Sequence, residues 1–197
     1  MDKNKLINQT ENAFDFIQKL YFECSYLVKE LEGLFAEEEE NFIIGRPSGY
    51  AINTRSSVGL ERNNVRLWLL RKFAVFFIPW ELTKKRGGMT ITSVKDNLKV
   101  IYIRFILNNN DIKEPQIYTG VLDNIEIKKD DWSKFEKLMG HFEYCDDKLF
   151  QNIFKLDYED SYCKIQGRLI KNNLYDINNS EAIMEKIVVP TLDLYRN

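Results

Sequence analysis

From Ala13 onward the apolar residues Ala13, Ile17, Leu20, Cys24, Leu27, Leu31 and Leu34 recur at steps of four and three, the spacing of one face of an α-helix. Phe14, Tyr21, Val28 and Phe35 add a stripe beside the first. A face this wide suits a helix laid across a sheet better than the narrow seam of a two-stranded coiled coil. The spacing predicts a helix over residues 11–36. It also marks the surface through which the chain would meet a protein partner or a second copy. Four successive glutamates, 37–40, follow; anions oppose the macrodipole at a helix C-terminus, so the helix ends there. Gly45, Pro47 and Gly49 reinforce the break.

Beyond the break the apolar period falls from 3.6 to two. Runs rich in β-branched and aromatic residues at 65–70, 73–78, 89–94, 99–107 and 116–128 predict antiparallel strands. Gly87-Gly88 and Asn108-Asn109-Asn110-Asp111 supply turn residues that accept positive φ. Asp130 or Asp131 can cap a short helix carrying Trp132, Phe135, Leu138 and Met139. A further strand is expected at 162–170, and a closing helix from Ser180, bent or broken at Pro190 because proline donates no N–H. The order is helix, meander, helix, strand, helix. That is an α+β fold, a long N-terminal amphipathic helix on an antiparallel sheet of five or more strands with shorter C-terminal helices. One domain is expected over 1–197, with the helix at 11–36, mainly strands over 50–128 and mixed structure over 130–197.

Composition narrows the class. The 197 residues are 44% hydrophobic with a net charge of −2, unlike a disordered chain. The N-terminus lacks the apolar core of a secretory signal, and no apolar run nears the ~18 residues of a spanning helix. An intracellular, cytoplasmic protein without a membrane anchor is expected. Cys24, Cys145 and Cys163 are odd in number and far apart, which favours reduced thiols over a disulfide framework.

The near-neutral total hides a basic middle. Residues 1–45 carry four cations and ten anions, residues 46–104 twelve and three, and residues 105–197 twelve and seventeen. Seven of the nine arginines lie in the middle segment, and the planar guanidinium fork fits phosphate or carboxylate bidentately. Strand alternation puts Arg62, Asn64, Arg66 and Trp68 on one face of the strand around Val65, and Tyr102 and Arg104 on one face of the 99–107 run. Brought together, these guanidinium groups and rings have the chemistry that neutralises phosphates and stacks bases. Arg46 and Arg55, in a loop with Ser48, Thr54 and Ser56, extend the set. The expected function is therefore binding of a phosphate-bearing ligand, nucleic acid or nucleotide, through Arg46, Arg55, Arg62, Arg66, Trp68, Tyr102 and Arg104. The same asymmetry also fits an acidic helix neutralising a basic sheet within one fold.

Catalytic motifs are sparse. Neither a Gly-x-x-x-x-Gly-Lys-Ser/Thr loop nor a Gly-x-Gly-x-x-Gly turn occurs, so no nucleotide cofactor is expected. The single histidine, His141, and Cys145 are too few for a four-ligand zinc site, and no Gly-x-Ser-x-Gly elbow supplies a hydrolase nucleophile. Asp157, Glu159 and Asp160 lack calcium-loop spacing and are expected as a solvated turn. Glu126-Ile127-Lys128, at the end of a predicted strand, resembles the acid-x-Lys element of metal-dependent nucleases of the restriction-endonuclease type. The resemblance covers three residues and implies an upstream acid, Asp96 or Asp111, sharing Mg²⁺ with Glu126. A non-catalytic assembly module working through the wide helix face is the remaining alternative.

Overall fold

The computed structural model describes residues 2–45, 71–86, 89–92, 98–108, 113–128 and 155–197, together with Leu138 and Phe142. Helix α1 (Lys3–Ala36) starts well before residue 11, because Asp2 caps it, accepting the Asn4 N–H at 3.1 Å. It stops at Glu37, the first of the four glutamates, whose N–H turns back to the Gly33 carbonyl.

The eight strands are β1 (Phe42–Ile44), β2 (Lys72–Pro79), β3 (Thr83–Arg86), β4 (Met89–Thr92), β5 (Val100–Ile106), β6 (Gln116–Ile127), β7 (Leu156–Glu159) and β8 (Cys163–Asn173). Six form an antiparallel sheet in the order β1-β2-β5-β6-β8-β7, while β3 and β4 pair as a separate ribbon bracketing Gly87-Gly88. The expected runs at 73–78, 89–94, 99–107, 116–128 and 162–170 correspond to β2, β4, β5, β6 and β8. The run at 65–70 lies outside the described residues, as does the 130–139 helix except for Leu138, which is helical.

Both faces of the sheet are packed, and alternation along each strand divides the core in two. Val75, Phe77, Ile101, Ile103, Phe105 and Ile117 face the helices, meeting Cys24, Leu27, Leu31 and Phe35 of α1. Ala74, Phe76, Val100, Tyr102, Ile106 and Tyr118 face the opposite way, into a cluster with Leu138, Phe142 and Leu156. Every residue of β5 is consequently buried. Gly120, opposite Tyr102 on β6, has φ +157°, and its backbone passes so near Arg168 that a Cβ would lie 2.1 Å from the Arg168 carbonyl oxygen.

The chain closes with a helix over 180–196, made of α2 (Ser180–Ile183), a π turn (Met184–Val188) and α3 (Val189–Arg196). Asn179 caps it, accepting the Ala182 N–H at 2.8 Å. Pro190 does not break this helix. The wider turn before it carries the ladder past the missing donor, with the Val189 N–H reaching the Met184 carbonyl. Ile183, Ile187, Val188 and Leu192 join the α1 side of the core.

Candidate functional site

The structure places Tyr102 and Arg104 together on one face of β5, as alternation requires, but that face is closed. Tyr102 is 0% and Arg104 1% exposed. The Arg104 Nη1 donates to the Tyr102 hydroxyl at 3.3 Å, and the Phe142 ring meets Tyr102 edge-on at 5.4 Å. In register, Arg104 lies between Ala74 and Tyr118, and Tyr102 between Phe76 and Gly120, so a small residue beside each leaves room for its bulk. The expectation that this polar face reaches out to solvent is corrected: in a sheet covered on both sides, alternation selects a layer and does not select water. The Tyr102 hydroxyl compensates part of the lost hydration of this buried guanidinium. Arg46, Arg55, Arg62, Arg66 and Trp68 lie outside the described residues.

The acid-x-Lys triplet sits at the end of β6. Glu126 is exposed, and Lys128 is bound to β7, its Nζ lying 2.5 Å from the Glu159 carboxylate and donating to the Asp160 carbonyl at 3.0 Å. Their mutual hydrogen bond raises the Lys128 pKa and lowers that of Glu159. Asp96 and Asp111 lie outside the described residues. Of the acidic group expected as a turn, Asp157 and Glu159 stand instead in β7, paired with β8, and only Asp160 builds a turn, accepting the backbone N–H groups of Tyr162 and Cys163 at 2.7 and 2.8 Å and the Tyr158 hydroxyl at 2.8 Å. Among the described residues, no three His, Cys, Asp or Glu side chains are grouped to hold a metal ion. No helix among them is long and apolar enough to cross a membrane.

Open chemistry lies on α1. Its 34 residues span about 51 Å at the α-helical rise, and its buried residues, Cys24, Leu27, Leu31 and Phe35, all lie in the second half. The helix therefore overshoots what it covers. Cys24 is its first buried residue, and residues 2–16 are exposed throughout. The stripe expected to lie on the sheet from Ala13 is thus buried only from Cys24 on, the first half forming a projecting arm. That arm is apolar on more than one side: Leu6, Ile7, Phe14 and Phe16 are all solvent-facing, the last two 66% and 60% exposed.

At the root of the arm, α1 and the 174–183 segment enclose a cleft of about 380 Å³. Leu20, Leu27, Leu174, Ile177 and Ile183 form its apolar lining, and Glu23, Glu30 and Asn178 its polar edge. The Ser180 hydroxyl donates to Glu30 at 2.8 Å, tying the two walls together. Burial, with the nearby Glu23 charge, pushes the Cys24 thiol up to about 12, so it stays protonated in the cleft wall. Behind it the acidic end of α1 is neutralised by Arg196, whose Nη2 lies 2.8 Å from Glu38 and 2.9 Å from Glu40. This contact comes from the C-terminal helix, not from the basic middle segment.

Sequence reading missed Leu6, Ile7, Phe16 and the 174–183 wall. Leu6 and Thr10 continue the four-three spacing backward from Ala13, the one pattern that could have extended the helix. The wall joins α1 across 150 residues and leaves no local trace. The chain matches no protein-family model, no curated protein and no solved structure.

Proposed function

We propose that this protein is a non-catalytic assembly module that docks an apolar helical segment of a protein on the α1 arm and the cleft at its root. One observation carries the reading: the helix that is buried from Cys24 onward continues through residues 2–16 with Leu6, Ile7, Phe14 and Phe16 exposed. An isolated helix of this length is marginal in water, so an arm with this composition gains its stability from what covers it. Deleting residues 2–18 from the full chain tests it. Near-UV circular dichroism and cooperative unfolding should persist while association, followed by sedimentation velocity, is lost. Loss of cooperative unfolding on deletion would put the arm in the core and end the proposal.

A second reading rests on the twelve cations against three anions in residues 46–104. A phosphate-bearing ligand, nucleic acid before nucleotide, would use Arg46, Arg55, Arg62, Arg66 and Trp68, since the burial of Tyr102 and Arg104 takes them from the contact set. Fluorescence anisotropy with a single-stranded oligonucleotide at several salt concentrations tests this. Arg66→Ala should reduce the salt slope by about 1, and Trp68→Ala should weaken binding with the slope nearly unchanged. Absence of binding at low salt removes the reading.

A further inference from the structure

We infer that the cleft at the root of the arm binds a linear aliphatic diamine or polyamine, its end ammonium groups held by Glu23 and Glu30 and its methylene chain laid over Leu27. The inference goes beyond the assembly reading, because it needs the cleft alone and none of residues 2–16.

The sequence of α1 sets out the site. Leu20, Glu23, Leu27 and Glu30 follow one another at steps of three, four and three, so they share one stripe of the helix, and all four line the cleft. The stripe alternates apolar and acidic. Glu23 and Glu30 stand two turns apart, about 10 Å along the axis, with Leu27 between them. Across the cleft, Leu174, Ile177 and Ile183 supply more apolar surface. A ligand that fits both walls is therefore charged at its ends and apolar along its middle.

Charge fixes the sign of those ends. Elsewhere in this fold acids are met by cations: Arg196 binds Glu38 and Glu40, and Lys128 binds Glu159. Among the described residues, Glu23 and Glu30 have no ion-pair partner, and no lysine or arginine lines the cleft. Lys186, in the π turn nearby in sequence, directs its ammonium to the Asp176 carbonyl instead. The one contact made by Glu30 is with the neutral Ser180 hydroxyl at 2.8 Å, which orients the carboxylate and leaves its charge in place. An anionic ligand would meet like charge at both ends.

Two rings complete the match. Tyr26 and Tyr175 also line the cleft and are 62% and 53% exposed, and an aromatic face attracts an ammonium lying within about 6 Å of its centre. The volume of about 380 Å³ falls at the small end of ligand sites, which run from roughly 300 to 1,000 Å³.

Isothermal titration calorimetry of the full chain at low ionic strength tests this with diaminooctane, diaminobutane, octylamine and octanediol. Diaminooctane is long enough to reach both carboxylates and should bind. Diaminobutane and octylamine, each able to engage only one, should bind roughly tenfold more weakly, and octanediol should not bind. Glu23→Gln and Glu30→Gln should each weaken diaminooctane binding by roughly tenfold, whereas Glu32→Gln, on the same helix outside the cleft, should change it less than about twofold. Glutamine keeps the shape of these exposed side chains, and near-UV circular dichroism checks that each variant retains the parent fold. Octylamine or octanediol binding as tightly as diaminooctane overturns the proposal, as does an equal loss in Glu23→Gln and Glu32→Gln. Absence of diaminooctane binding at about 1 mM also overturns it. Any of these failures leaves the assembly reading standing, since deletion of residues 2–18 decides that one.

Discussion

Alanine substitutions along one stripe of α1 should divide sharply at Cys24. Leu31 is fully buried against the sheet, so Leu31→Ala loses the transfer energy of the side chain and leaves a cavity, about 2–5 kcal/mol together. Phe14 is 66% exposed in a single copy. Only a third of its surface is at stake, about 1 kcal/mol, and alanine's better helix propensity returns about 0.5. With a urea m-value of roughly 2 kcal/mol/M, Leu31→Ala should move the midpoint by about 1–2.5 M and Phe14→Ala by about 0.3 M or less. The measurement belongs at about 1 µM protein, where association contributes least. Comparable losses for the two variants in dilute protein would refute the argument, since Phe14 would then be covered by its own chain.

Four further outcomes can be checked. Arg196 holds the Glu40 carboxyl below its usual 4.5, so its stabilisation is present above pH 4.5 and lost as pH falls through the lowered folded value; Arg196→Ala should lower Tm at pH 7, with the gap to the parent closing in acid. The Cys24 thiol is raised from 9.0 to about 12, so its contribution is intact below pH 9 and lost as pH rises toward 12. Cys24→Ala should flatten alkaline unfolding across that window. Gly120→Ala drives a Cβ against the Arg168 carbonyl and should cost about 3 kcal/mol by chemical denaturation. Tyr102→Phe removes the hydroxyl that accepts from buried Arg104. It should cost about 1.5–3 kcal/mol while leaving the oligomeric state unchanged, as size exclusion would show.

The long periodic elements were legible because their residues report local geometry: β2, β5, β6 and β8 follow from β-branched and aromatic runs, and the body of α1 from four-three spacing. Strands β1, β3 and β7, of three or four residues, are too short to show a period. They exist because a neighbouring strand offers free donors and acceptors. The site was less legible. Tyr102 and Arg104 read as outward-facing because polar residues on an alternating strand usually mark the wet side, and nothing local tells a half-covered sheet from one covered twice. On α1, periodicity predicts which side of a helix is apolar, but only the tertiary layer beneath it decides how many of its turns find cover.

The contact between the acidic end of α1 and Arg196 joins residues 158 and 156 positions apart, and Ile187, Val188 and Leu192 finish the layer over Leu27, Leu31 and Phe35. Helix α1 is thus sealed by residues more than 150 positions later. Until residues 183–192 are made, the nascent chain carries part of this apolar stripe uncovered. Such late closure makes folding slow and exposes the unfinished polypeptide to aggregation and to chaperones. A chain cut short before Ile183 would leave the layer beside Leu27, Leu31 and Phe35 without the four residues that close it, Ile183, Ile187, Val188 and Leu192.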